Sequence, residues 1–249
     1  MTTIGTGVPE GATQTANSVY ATPKQVSGLA DCYFYHTMDI PGHGLVQGEW
    51  DLRGGEQQYL GNVDLRGKRV LELGTASGFL CFAMEKMGAE VVAIDLSEND
   101  SWDIVPYATL DVEKLIRERK AHIRKQHNGY WLAHKAFNSK ARVVYSSVYQ
   151  IPTSIGPFDV TTLGSILLHL RDPLTALERA LSMTRETVVI TEIPTQFQRL
   201  TRMAWVRLMG HGLMSKFIKP RMEFLPNAKA QAPWETWWYI SPELIAQWI

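Results

Sequence analysis

Glu72 and Asp95 stand near the ends of two apolar, β-branched runs, Arg69–Leu73 and Glu90–Asp95, and a turn of small residues, Gly74-Thr75-Ala76-Ser77-Gly78, follows the first. Gly74 and Gly78 let backbone come close to a ligand, and a helix starting after the turn leaves N–H groups unpaired there. Asp95 lies twenty-one residues beyond Gly74, the separation at which a carboxylate on the next strand can accept both hydroxyls of an adenosine ribose. The pattern suits an adenosine cofactor. A dinucleotide site asks for Gly-x-Gly-x-x-Gly, whereas this turn has Ala76 at the second glycine and Phe79 beyond Gly78, so a phosphate-free adenosine ligand is expected instead.

The elements that must hold these groups follow from periodicity. From Val70 onward, short β-branched runs alternate with helical stretches, which predicts an open, doubly wound, mostly parallel α/β sheet with helices on both faces. Five strands are expected: Arg69–Leu73, Glu90–Asp95, Arg142–Tyr145, Phe158–Leu163 and Thr187–Thr191. A helix over Gly78–Met87 has Phe79, Phe82, Ala83 and Met87 on one face. A long helix over Asp111–Phe137, capped by Asp111 and interrupted near Gly129, carries mostly basic charge, and Asp172-Pro173 opens another through Leu181. Gln196–Trp234 reads as an insertion with substrate contacts, its helix holding Leu200, Met203, Trp205, Leu208 and Met209 among arginines. Pro242–Trp248 is a last helix.

Composition narrows the class. A chain of 249 residues can bury roughly 70–75% of its unfolded surface in one large domain. Cys32 and Cys81 are isolated in sequence, so neither a disulfide nor a metal site is expected. Twenty-five basic residues balance twenty-five acidic ones, which leaves no global field to draw the chain onto nucleic acid or anionic lipid. The first residues lack the cationic start and apolar stretch of a secretory signal, and no apolar run approaches the roughly 20 residues of a membrane span. A cytoplasmic setting is expected. The organisation expected is a leader over residues 1–30, a lid segment over 31–68, a cofactor-binding core over 69–193 and a substrate-side insertion with terminal helix over 194–249.

Glu72-Leu73-Gly74-Thr75-Ala76-Ser77-Gly78 resembles the first motif of the Rossmann-like, class I S-adenosylmethionine-dependent methyltransferases, an acidic strand end followed by a glycine-rich turn. The resemblance implies S-adenosylmethionine as cofactor, with Glu72 near its sulfonium and amino group, Gly74, Thr75, Ala76, Ser77 and Gly78 along its methionine and ribose, and Asp95 and Leu96 at the ribose. Ser147 and Val148, after the third strand, fall where members contact the adenine ring. Gly164, opening Gly164-Ser165-Ile166-Leu167-Leu168-His169, matches the segment near the transferring methyl group.

Further resemblance extends to a subgroup that includes tRNA wobble-uridine carboxymethyltransferases, upstream in Tyr33–Pro41 and Gly48–Arg53 and downstream in Pro226-Asn227 and Trp237–Pro242. It implies that Tyr33, Tyr35 and His36 lie over the cofactor's mouth. His36 is thereby the first candidate for a general base, with His169 second. Arg53 is a candidate partner for the cofactor's carboxylate or for a surface ion pair. Trp237 and Trp238 are expected to face the Tyr33–His36 segment across the mouth as an aromatic lid. Methyl transfer from a sulfonium is an in-line displacement that needs alignment and exclusion of water, with no metal.

Three functions compete. The first is methyl transfer to a small, largely apolar acceptor, the second an RNA-modifying transferase working through the basic helix and stacking aromatics, and the third a binding protein without catalysis. Neutral charge ranks the first ahead. The family's terminal hairpin is expected to be missing, because the chain stops inside the helix that normally precedes it.

Overall fold

The computed structural model describes residues 19–192, 219–229 and 231–249. Five parallel strands form the central sheet: β3 (Arg69–Leu73), β4 (Glu90–Asp95), β5 (Arg142–Tyr145), β6 (Phe158–Gly164) and β7 (Thr184–Thr191), in the order β5-β4-β3-β6-β7. Upstream of them, β1 (Met38–Ile40) and β2 (Gly44–Val46) make a short antiparallel pair, followed by the single-turn helix α1 (Glu56–Tyr59). Another antiparallel pair, β8 (Met222–Phe224) with β9 (Trp238–Ile240), stands apart from the sheet. Among the described residues, no antiparallel strand joins it.

Alternation along the strands feeds two cores. Val70, Val91, Ala93, Val143 and Val160 pack on one face beneath α2 (Phe79–Lys86) and α3 (Val112–Ala136), while Leu71, Leu73, Val92, Ile94 and Leu163 pack on the other beneath α4 (Pro173–Ser182) and α5 (Pro242–Trp248). Strands covered on both faces are the signature of a parallel sheet with crossover helices. The chain steps outward from β3 through β4 to β5, then returns to the other side of β3 for β6 and β7. That reversal opens a crevice at the carboxyl ends of β3 and β6, where ligands settle in open α/β sheets.

The expected five strands and their helices are present, with small shifts at the ends of β6, β7 and α4. Asp111 caps α3 by accepting the Lys114 N–H at 2.9 Å, and Asp172 caps α4 by accepting that of Thr175 at 3.0 Å. One expectation fails: α3 is not interrupted near Gly129 but runs unbroken through it. A Cβ at that position would lie 2.5 Å from the Tyr33 carbonyl oxygen, so the glycine admits a crossing segment rather than breaking the helix. The proposed helix of the insertion, with Leu200 to Met209, lies outside the described residues.

Candidate active site

The glycine turn gets its shape from the backbone. Gly74 has φ +79° and donates its N–H to the Ile94 carbonyl at 2.9 Å, which ties the end of β3 to β4. A Cβ on Gly74 would also meet Ile166 Cδ1 at 2.8 Å. Ala76 holds a left-handed φ of +52°, and its N–H reaches Asp95 Oδ2 at 2.7 Å while Leu96 N–H reaches Oδ1 at 2.8 Å. Asp95 is therefore clamped by two backbone donors beside the turn, as the spacing of the two residues requires.

Burial governs the charges. Glu72 is 4% exposed, Oε2 has no partner, and burial with the nearby Asp95 charge raises its pKa to about 7. Asp95 is 8% exposed and burial raises it to about 6, against the opposing pull of the Leu96 and Ala76 N–H groups and of Gln126. Both carboxyls line one cavity of about 950 Å³.

Its floor comprises Glu72, Gly74–Ala76, Asp95, Leu96, Ser147 and Val148, with Gly164–Ile166 beside them. On β6, Gly164 leaves room for Tyr59, whose ring would stand 3.1 Å from a Cβ there and whose hydroxyl lies 3.1 Å from Ser165 Oγ. Aromatic residues line the same cavity, among them Tyr33, Tyr35, Trp50, Trp102 and Trp234. His36 joins them with its ring centroid 5.4 Å from that of Phe79, and burial lowers its pKa to about 4, so it is neutral at physiological pH.

A family profile described as "Methyltransferase domain" matches residues 54–249. The chain belongs to that family. Its five parallel strands and flanking helices are the Rossmann-like architecture of class I S-adenosylmethionine methyltransferases. The methyltransferase domain is similar in structure to a candidate RNA methyltransferase from Pyrococcus horikoshii (14% identity over 60% of this chain and 66% of that one, TM-score 0.38). It is also similar to the 1,6-didemethyltoxoflavin-N1-methyltransferase of Burkholderia thailandensis, crystallised with 1,6-didemethyltoxoflavin and S-adenosylhomocysteine (17%, 54% and 47%, 0.35). A third is the magnesium protoporphyrin IX methyltransferase of Synechocystis with bound S-adenosylhomocysteine (15%, 63% and 60%, 0.37). The chain spans about half to two thirds of the length of these three structures. No curated protein matches it in sequence.

Not every candidate residue meets in the methyltransferase domain's cavity. Ser77 is fully buried and accepts the Tyr35 N–H on Oγ at 3.1 Å, which fastens the Tyr33–His36 segment to the turn. Gly78, with φ +91°, caps α2 where a Cβ would lie 2.5 Å from Phe82. Arg53 forms an exposed fork on Asp51, with contacts of 2.9 and 2.7 Å, and takes no part in the cavity. His169 does reach it, its Nδ1 2.8 Å from the Glu235 carbonyl oxygen.

The expected Trp237–Trp238 lid is not formed. Trp237 is 6% exposed and lies behind the wall, its backbone N–H on the Leu168 carbonyl at 2.8 Å, and Trp238 Nε1 donates to the Leu170 carbonyl at 2.9 Å. Trp237 Nε1 points to the Asp103 carbonyl at 3.4 Å, so both indole N–H groups are directed at backbone carbonyls instead of the mouth. Trp50, Trp102 and Trp234 line the cavity in their place, with Tyr59, Arg119, His122 and Gln126. The α3 contribution had a readable signal: Arg119, His122 and Gln126 are spaced three and four apart and share one helix face.

Proposed function

We propose that this chain is an S-adenosylmethionine-dependent methyltransferase acting on a small, largely apolar acceptor. The observation that carries the reading is a single cavity lined both by the glycine turn with its two acidic strand ends and by aromatic side chains. Sites for one drug-sized ligand run from roughly 300 to 1,000 Å³. A volume of about 950 Å³ suits a cofactor together with a small acceptor.

The residues fit S-adenosylmethionine. Glu72 offers a buried carboxylate oxygen without a partner to a cationic group, Gly74 permits close approach, and Asp95 keeps acceptor capacity beyond its two backbone donors. Ser147 and Val148 would flank the adenine. When bound, the cofactor supplies an electrophilic methyl group on a sulfonium. Around it, Tyr59 and Gly164 shape the wall beside Glu72, the aromatic side chains exclude water, and His36 offers a neutral imidazole whose basicity burial holds down.

An RNA substrate takes second place, because three cations of α3 are already paired: Arg117 with Glu113, Lys114 with Glu118 and Arg124 with Glu98. A cytoplasmic setting is part of the proposal. No helix among the described residues is long and apolar enough to cross a membrane.

Calorimetry with S-adenosylhomocysteine, paired with transfer of a labelled methyl group across a broad acceptor panel, tests the reading. We expect Asp95→Ala to weaken cofactor binding about tenfold to a hundredfold, since hydrogen bonds to a charged group contribute about 1.5–3 kcal/mol. Absence of binding by the unaltered protein sinks the proposal. Tight binding without turnover would assign a non-catalytic binding protein instead.

A further inference from the structure

On the aromatic wall, one cation stands without a counter-ion. The guanidinium carbon of Arg119 lies 4.2 Å from the Trp234 ring centroid and 5.2 Å from that of Trp102, and all three residues line the cavity. Nε is buried with no hydrogen-bond partner, and among the described residues no carboxylate pairs with this side chain. Besides Glu72 and Asp95, four acids line the same cavity, and none lies within ion-pair distance of this guanidinium: Glu49 accepts the Tyr33 hydroxyl, Asp100 the Ser97 hydroxyl at 2.7 Å and Asp103 the Tyr149 hydroxyl, and Glu235 lends His169 its backbone carbonyl.

Indole faces hold a guanidinium in place but leave its charge uncancelled and its N–H fork unused. Three separate stretches of chain combine to do this here, namely α3, the β4–α3 connection and the segment before β9. A guanidinium that lines a cavity with no carboxylate in reach keeps its remaining N–H donors for a bound acceptor group. Planar carboxylates match the fork bidentately, and the flanking rings favour a flat, apolar body attached to that carboxylate.

Resting on the reading of this cavity as a joint cofactor and acceptor site, we propose that Arg119 anchors a carboxylate on the methyl acceptor, which is thus a small aromatic acid rather than a neutral apolar compound. Trp102 and Trp234 position the guanidinium. The acceptor enters with its acidic end toward α3 and its reacting atom toward Gly164.

Ligand-observed NMR on the protein saturated with S-adenosylhomocysteine tests this, using matched acid and amide probes: indole-3-carboxylate with indole-3-carboxamide, and 4-hydroxybenzoate with 4-hydroxybenzamide. We expect each acid to bind roughly tenfold or more tightly than its amide, the preference to vanish in Arg119→Gln and to persist in part in Arg119→Lys. Cofactor affinity should be unchanged in both variants, which also reports that they are folded. Equal binding of acid and amide overturns the proposal, as does a loss of cofactor affinity in Arg119→Gln, which would move Arg119 to the cofactor's own carboxylate. Salt-dependent tRNA binding that Arg119→Gln abolishes would overturn it in favour of a polyanionic acceptor. Failure of the unaltered protein to bind S-adenosylhomocysteine overturns the underlying reading and is seen before any acid is added.

Discussion

Two buried carboxyls in one cavity make the ligand-free protein sensitive to pH. Glu72 and Asp95 are raised to about 7 and about 6, chiefly by burial, so the folded state holds protons that the unfolded chain would release. The sign follows: their stabilising contribution is complete below the ordinary carboxylate range and is lost as pH rises through about 6 to 7. We expect the ligand-free melting temperature to fall between pH 5 and pH 8, by an amount corresponding to a few kcal/mol at most. S-adenosylhomocysteine should flatten that slope, because its ammonium group stabilises the Glu72 carboxylate. A melting curve series with and without ligand checks both parts, and an unchanged slope would place the amino group away from Glu72. His36 gives a second expectation at this scale. Its replacement by alanine should lower turnover and leave cofactor affinity nearly unchanged, as steady-state kinetics beside calorimetry would report.

At the scale of elements, α3 does more than cover the sheet. Its carbonyl at Lys125 accepts the Tyr33 N–H at 2.9 Å, Asn128 Nδ2 donates to the Asp31 carbonyl at 2.9 Å, and Gly129 leaves space for the Tyr33 backbone. The segment that carries Tyr33, Tyr35 and His36 is thereby docked on the same helix that supplies Arg119, His122 and Gln126. Helix propensity alone says that Gly129→Ala stabilises the protein by about 1 kcal/mol. Contact at 2.5 Å with a backbone oxygen says the reverse, because neither helix nor segment can yield cheaply. We expect Gly129→Ala to destabilise by about 1–3 kcal/mol in urea titrations and to raise the acceptor's Michaelis constant, whereas net stabilisation would show that the segment moves freely.

Over the whole molecule, the reversal of strand order at β3 decides where chemistry can happen, since it opens the sheet only between β3 and β6 at their carboxyl ends. Everything in the cavity reaches that point from a different stretch of chain. In the part after β7, Trp237, just before β9, packs against Phe224 and the Leu168 backbone rather than the ligand space. Trp237→Ala should therefore cost about 3–5 kcal/mol of stability while the folded fraction keeps its cofactor affinity. Chemical denaturation beside calorimetry separates this from a lid, for which affinity for the acceptor would change at constant stability.

Sequence by itself determined the parts whose causes are local. The bounds of β3, β4 and β5 follow from β-branched runs that must be buried on both faces, the helix starts from Asp111 and Asp172, and the meeting of the glycine turn with Asp95 in one cavity from their spacing one strand apart. What else lines that cavity was beyond it. Trp237 and Trp238 look like Trp50, Trp102 and Trp234 in sequence, and only tertiary packing against Phe224 and the Asp103 and Leu170 carbonyls takes up the first two, while the other three line the cavity. Gly129 looks like a helix break for the same reason: its role depends on Tyr33, ninety-six residues earlier in the chain. Contacts between segments so far apart are set by packing and loop closure, which leave no periodic trace in either segment.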